Sequence, residues 1–168
     1  MLEDNLAKVK KNIENACRKA GRDPEEVTLV AVSKMKPLED IEVLRRIGQM
    51  EFGENYVQEL CEKEEHVSAP VHWHMIGHLQ TNKVKYILDK VVLIHSVDSV
   101  HLAKQIEKEA AKRNLTAQIL LQVNVAEEDT KFGMDTDEVI KMAEEISHFP
   151  HVHIRGLMTS APFVDDPE

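Results

Sequence analysis

About six short, apolar, β-branched segments recur along the chain, and a helix-like segment separates each from the next. Val27 to Lys34 (VTLVAVSK) is the first and reads as a strand buried on both faces. Residues 50–53, 72–77, 91–97, 117–125 and 153–160 follow as further strands. Between them run amphipathic helices. Leu6, Val9, Ile13, Cys17 and Ala20 keep helical spacing before Gly21, and Leu38, Ile41, Leu44 and Ile47 do so before Gly48. Tyr56, Val57 and Leu60 mark a third helix, and residues 82–88 a short fourth. Ser99 can cap the next, while Asp135 with Glu138 resembles a capping box for the helix carrying Val139, Met142 and Ile146. Strict strand–helix alternation argues for a parallel α/β sheet, either a barrel or an open sheet. The absence of Gly-x-Gly-x-x-Gly after any strand weakens a dinucleotide-binding fold.

The 168 residues suffice for one domain with a sizeable core. A formal charge of −9 without a basic stripe argues against a nucleic-acid binder. No apolar run is long enough to cross a bilayer, and the N-terminus is acidic and polar. Cys17 and Cys61 both fall in helical segments and form no C-x-x-C pair, so a disulfide framework or zinc ribbon is not expected. The expected compartment is a reducing cytoplasm.

Polar residues collect where strands end: Ser33-Lys34, Asn55, Gly77-His78, Asp98, Asn124 and Thr159-Ser160. Ligands bind at that edge in both α/β architectures. Lys34 is the leading chemical candidate. Counting by two puts Val30, Val32 and Lys34 on one strand face, where partial desolvation would raise the fraction of neutral amine able to attack an aldehyde. A solvated lysine at a strand end is the plain alternative. Lys36 shares the parity, but it precedes Pro37 and belongs to the loop.

His72 and His74 share a strand face near His78, and His151 and His153 repeat the spacing. No neighbouring acid or thiol in the sequence completes a ligand set, so packed or solvated histidines are favoured over a metal site. Gln118, Leu120, Gln122 and Asn124 share a face of the fifth strand, as a polar barrel interior or an internal hydrogen-bond network would require. Residues 129–133 read as a solvated turn, and the acidic residues of the helices as solvated faces. No pair of catalytic carboxylates stands out.

Read together, the strand ends resemble one family. The segments are Ala31-Val32-Ser33-Lys34-Met35-Lys36-Pro37, Phe52-Gly53-Glu54-Asn55-Tyr56-Val57-Gln58-Glu59, and Trp73-His74-Met75-Ile76-Gly77-His78-Leu79-Gln80-Thr81-Asn82-Lys83. Val123-Asn124-Val125, Thr130-Lys131-Phe132-Gly133 and Arg155-Gly156-Leu157-Met158 follow in order. They resemble the pyridoxal phosphate homeostasis family, also known as proline synthetase co-transcribed homologues. The resemblance runs from the first helix to Ala161.

The resemblance implies a (β/α)8 TIM barrel of the alanine racemase type (fold-type III for pyridoxal 5'-phosphate, PLP), preceded by an N-terminal helix. It implies that Lys34 holds PLP as a Schiff base, and that Asn55, His74 and Met158 line the cofactor. Gly77 is expected to let the backbone turn close to it. The implied role is a non-catalytic PLP carrier in intracellular PLP and vitamin B6 homeostasis. PLP itself is its expected partner, with amino acids or PLP-dependent enzymes as recipients. The rivals are a fold-type III amino-acid racemase or decarboxylase, and a cofactor-free regulatory or scaffold domain.

Residues 1–168 are expected to form a single barrel domain, C-terminally incomplete, with about six of the eight strands of such a barrel. The family's Ser-Met-Gly-Met-Ser segment and its terminal Arg-x-Gly-x-x-Ile-Phe-Gly segment are absent. Weak PLP binding and two open strand edges are the corresponding expectations.

Overall fold

A computed structural model describes residues 1–125, 133, 136–161 and 164–165. The turn at 129–132 and the capping residue Asp135 lie outside the described residues. Among the described residues, six strands form one sheet: β1 (Ala31–Val32), β2 (Glu51–Glu54), β3 (His72–Met75), β4 (Val91–Val97), β5 (Ala117–Gln122) and β6 (Val152–Met158). All five pairings are parallel, and the spatial order is the sequence order β1-β2-β3-β4-β5-β6. A doubly wound sheet reverses its strand order at a switch point; this one never does. Each strand is laid beside its predecessor, which is the winding of a barrel wall.

The helices are α1 (Leu2–Ala20), α2 (Leu38–Arg46), α3 (Val57–His66), α4 (Val100–Lys112) and α5 (Val139–Ser147). Local chemistry sets several of their ends. Gly21 closes α1 in the left-handed conformation at φ 66°, which costs glycine nothing. The Ser99 hydroxyl caps α4 by accepting from the Leu102 N–H at 3.1 Å. Glu138 stands at the α5 N-cap without a side-chain bond to it. The segment after β3 is a 3-10 helix, Thr81–Tyr86.

One sheet face carries the core. Phe52 and Trp73 lie beside each other in register with ring centroids 6.1 Å apart, and Met75, Ile94 and Ile119 continue that face. Leu60 of α3, Leu102, Ala103, Ile106 and Ala110 of α4, and Ile146 of α5 join them in a single buried cluster. Burying each such large side chain contributes about 1.5–3 kcal/mol. The opposite face holds the register row Val32, Gly53, His74 and Leu93.

β1 is shorter than the sequence pattern suggests. The buried Gln49 side chain donates to the Leu29 and Glu51 carbonyls, both at 2.8 Å, so a side chain stands where ladder bonds would otherwise run. Among the described residues, both cysteines are free, and no helix is long and apolar enough to cross a membrane.

Candidate functional site

β1 leaves the sheet at Ser33, whose N–H still donates to the Gly53 carbonyl at 3.0 Å. The chain then turns at once: the Lys36 N–H donates to the Ser33 carbonyl at 3.1 Å. Lys34 is the second residue of this turn and Met35 the third. Met35 adopts φ 59°, the sign a type II turn requires at that position and one that usually selects glycine. Lys34 therefore projects from a tight corner at the C-terminal edge of the sheet. Its side chain is exposed, so the desolvation expected from its valine-rich strand face is not provided by the described residues.

Beneath the corner is a charged cluster, and it includes Glu59, an acidic helix residue that sequence alone places on a solvated face. Lys63 of α3 is only 8% exposed, and Glu54 at the end of β2 is fully buried. Lys63 Nζ donates to Glu54 Oε1 and Glu59 Oε1, each at 2.7 Å, and to the Ser33 carbonyl at 2.6 Å. The Ser33 hydroxyl donates to Glu54 Oε1 at 2.7 Å, and the Met35 N–H to Glu59 Oε1 at 2.6 Å. The signal available in sequence was the Glu59–Lys63 spacing of four residues on one helix, which ordinarily marks a solvent-exposed pair.

Gly77 and Asn55 meet at the same edge. A Cβ on Gly77 would fall 2.7 Å from Asn55 Cα and closer still to its carbonyl oxygen. Glycine is thus required for the approach of two backbone segments, a different reason from the expected turn toward a ligand. Beyond them, Asn55, Tyr56, Val57, Gln58, His78, Gln80 and Lys83 line an open cleft of about 710 Å³. Lys34 is not among its lining residues. His78 Nδ1 lies 3.7 Å from Asp98 Oδ2, and burial raises the Asp98 carboxyl above its ordinary pKa, with the His78 charge opposing.

His74 faces the other side of the sheet from the core and is 5% exposed. Its Nδ1 is 2.8 Å from His95 Nε2, and its Nε2 is 3.4 Å from Glu51 Oε1. His72 Nδ1 lies 2.5 Å from Glu51 Oε2. Glu51 and His95 are thus the neighbours that sequence spacing did not supply. Even so, no group of the described residues has the arrangement of a metal site. Burial lowers the His74 pKa, with Glu51 opposing, and it brings His95 down to about 4 with help from the His74 charge. The other histidine pair separates: His151 Nδ1 binds Glu107 at 2.8 Å, and His153 Nδ1 binds Gln118 at 2.9 Å.

Met158 ends β6, half-buried and in register with Gln122. The structure therefore gathers Lys34, Asn55 and Gly77 around the ends of β1 to β3. His74 lies one row deeper on β3, and Met158 ends the sixth strand. A second cleft, of about 680 Å³, lies at the opposite edge under α1, between Lys10, Glu14, Gln49 and His72. It holds none of the expected cofactor-lining residues.

The family described as alanine racemase, N-terminal domain, matches residues 5–168. A pyridoxal phosphate homeostasis protein of Aquifex aeolicus is 41% identical over 166 residues, covering 98% of this chain and 73% of that protein. Its namesake in Pasteurella multocida is 37% identical, with 98% and 72% covered. Among solved structures, a protein of unknown function from Bifidobacterium adolescentis superposes with a TM-score of 0.91 at 32% identity, covering 98% of this chain and 71% of that one. PipY of Synechococcus elongatus, solved with PLP bound, gives 0.77 at 32% identity, with 90% and 71% covered. Alanine racemase of Clostridium difficile gives 0.74 at 16% identity, covering 94% of this chain and 39% of that one, a likeness of fold alone. With strand order, strand-end residues and these relatives in agreement, the chain belongs to the pyridoxal phosphate homeostasis protein family, on a barrel wall of the alanine racemase type.

Proposed function

We propose that this chain binds PLP for intracellular PLP homeostasis, with Lys34 supplying the amine that holds the cofactor's aldehyde. The observation that carries this reading is the Lys34 corner: an exposed primary amine, set on a tight turn at the sheet edge where barrel proteins bind ligands. The donor chemistry suits a phosphorylated aldehyde. Lys34 offers the amine, while Asn55, His78 and Lys83 offer N–H donors along the neighbouring cleft. Lys34 Nζ would be the amine through which the chain holds the aldehyde. When bound, the cofactor supplies an electron sink and an aldehyde that can be handed on to another amine.

Asn55, His74 and Met158 are assigned to the lining, and Gly77 serves it by letting the Asn55 backbone close in. Residues 1–168 act as one PLP-binding domain of the cytoplasm, with amino acids or PLP-dependent enzymes as the recipients of PLP. The role is that of a carrier, in keeping with the names of the relatives, and turnover of an amino acid by the purified protein would overturn it. The decisive experiment adds PLP, reduces with borohydride and maps the modified residue by peptide mass spectrometry. Modification at Lys34 is the expected result; modification elsewhere refutes the assignment.

A further inference from the structure

Both peptide groups that flank Lys34 are tied to the same buried charged network. We propose that Lys63, Glu54 and Glu59 are positioning residues that clamp the Ser33–Lys36 turn and thereby set where the Lys34 amine stands. The proposal rests on the reading of Lys34 as the amine that takes PLP.

On the near side of Lys34, the Ser33 carbonyl accepts from both the Lys36 N–H at 3.1 Å and Lys63 Nζ at 2.6 Å, which uses both of its lone pairs. The Ser33 hydroxyl is held by Glu54 Oε1 at 2.7 Å. On the far side, the Met35 N–H is held by Glu59 Oε1 at 2.6 Å. Lys63 joins the two sides, and its three N–H donors are all used: Ser33 O, Glu54 Oε1 and Glu59 Oε1. The Met35 side chain is 83% exposed, so its packing cannot impose the positive φ of that residue. The Glu59 bond to its N–H can.

Burying charges is a poor way to gain stability, because desolvation offsets much of the attraction. A network spent on one turn is better explained by what the turn carries. The clamp also separates two lysines close in sequence. Lys34 lies between the two clamped peptides, whereas Lys36 lies beyond the second. Fixed placement of this kind is worth large factors in reaction rate, and small misplacements lose them.

The test compares the unaltered chain with Lys63→Met, Glu59→Leu and Glu59→Gln. Each is treated with PLP and borohydride, and the ratio of Lys34 to Lys36 modification is read by peptide mass spectrometry. Circular dichroism and thermal unfolding report on folding. The unaltered chain should favour Lys34 by about tenfold or more, and Lys63→Met and Glu59→Leu should each cut the ratio about fivefold. Glu59→Gln keeps an oxygen that can accept from Met35 and Lys63, so it should restore most of the ratio. A general loss of stability would not move this ratio and would not be repaired by glutamine.

Folded Glu59→Leu with an unchanged ratio, or Glu59→Gln no better than Glu59→Leu, overturns the clamp. If Lys63→Met fails to fold, the Glu59 pair decides alone, since that side chain is 22% exposed at the rim of the network. Modification of the unaltered chain at some other lysine would refute the PLP assignment instead. The clamp is then judged by amide exchange at Met35. Exchange about tenfold faster in Glu59→Leu than in Glu59→Gln upholds it, and equal rates overturn it.

Discussion

On the helix-covered face of the sheet, Lys63 gathers Glu54, Glu59 and Ser33 through bonds of 2.6–2.7 Å. On the other face, Glu51, His72, His74 and His95 form a looser array spanning 2.5–3.4 Å. The first cluster combines an ammonium with carboxyl groups, and its donors are committed to a backbone turn. The second is built on imidazoles, and burial holds those of His74 and His95 below their ordinary pKa, so that they take up protons only in acid. Rigidity at the Lys34 corner and responsiveness along the inner face thus come from different side-chain chemistry within a single small sheet.

Removing the Lys63 charge tests that contrast most severely. Lys63→Met leaves buried Glu54 without its counter-ion and should cost about 3–5 kcal/mol, read from urea unfolding. Gly77→Ala comes next. Its Cβ collides with the Asn55 backbone, which cannot swing away as a side chain would, so a loss of about 1–3 kcal/mol is expected by the same assay. A smaller effect should come from the imidazoles.

The His74 and His95 pKa values lie below the ordinary 6.5, His95 at about 4, so the unfolded chain takes up protons first as pH falls. Their contribution is complete above pH 6.5 and is lost as pH drops toward 4. His95→Asn should flatten urea midpoints measured between pH 7 and pH 5; an unchanged slope would assign the acid sensitivity elsewhere.

The smallest change belongs to the surface counterpart of the clamp. The Ser68 N–H and hydroxyl, with Arg45, hold the Glu42 carboxyl down to about 2. Its contribution is present above the ordinary value of 4.5 and lost as pH falls toward 2. Glu42→Gln should therefore slightly lower urea midpoints at any pH above 4.5, and the difference from the unaltered chain should shrink as pH falls toward 2.

Regular elements were legible where local chemistry decided them. Residues 91–97 form a strand with the bounds expected, Ser99 caps α4 and Gly21 ends α1. The strand-end position of Lys34 was legible too. Its supports were not, because they depend on contacts between distant segments. Glu59 and Lys63 have the spacing of an ordinary surface pair, and only the docking of α3 against the ends of β1 and β2 buries them. β1 was overextended because nothing local shows that the Gln49 amide will occupy the Leu29 carbonyl. What requires glycine at position 77 is the backbone of Asn55, 22 residues earlier in the chain, and nothing local in the sequence shows that approach.

The unreversed strand order has a consequence for biosynthesis. Each strand finds its hydrogen-bonding partner in the one made just before it, so no described strand must wait for a distant segment to be translated. A nascent chain emerging from the ribosome could add its strand–helix units one at a time, each docking on a surface already present. Loop-closure entropy is then met in small instalments. The Lys34 corner would be clamped as soon as α3 emerged, well before β6 was synthesised.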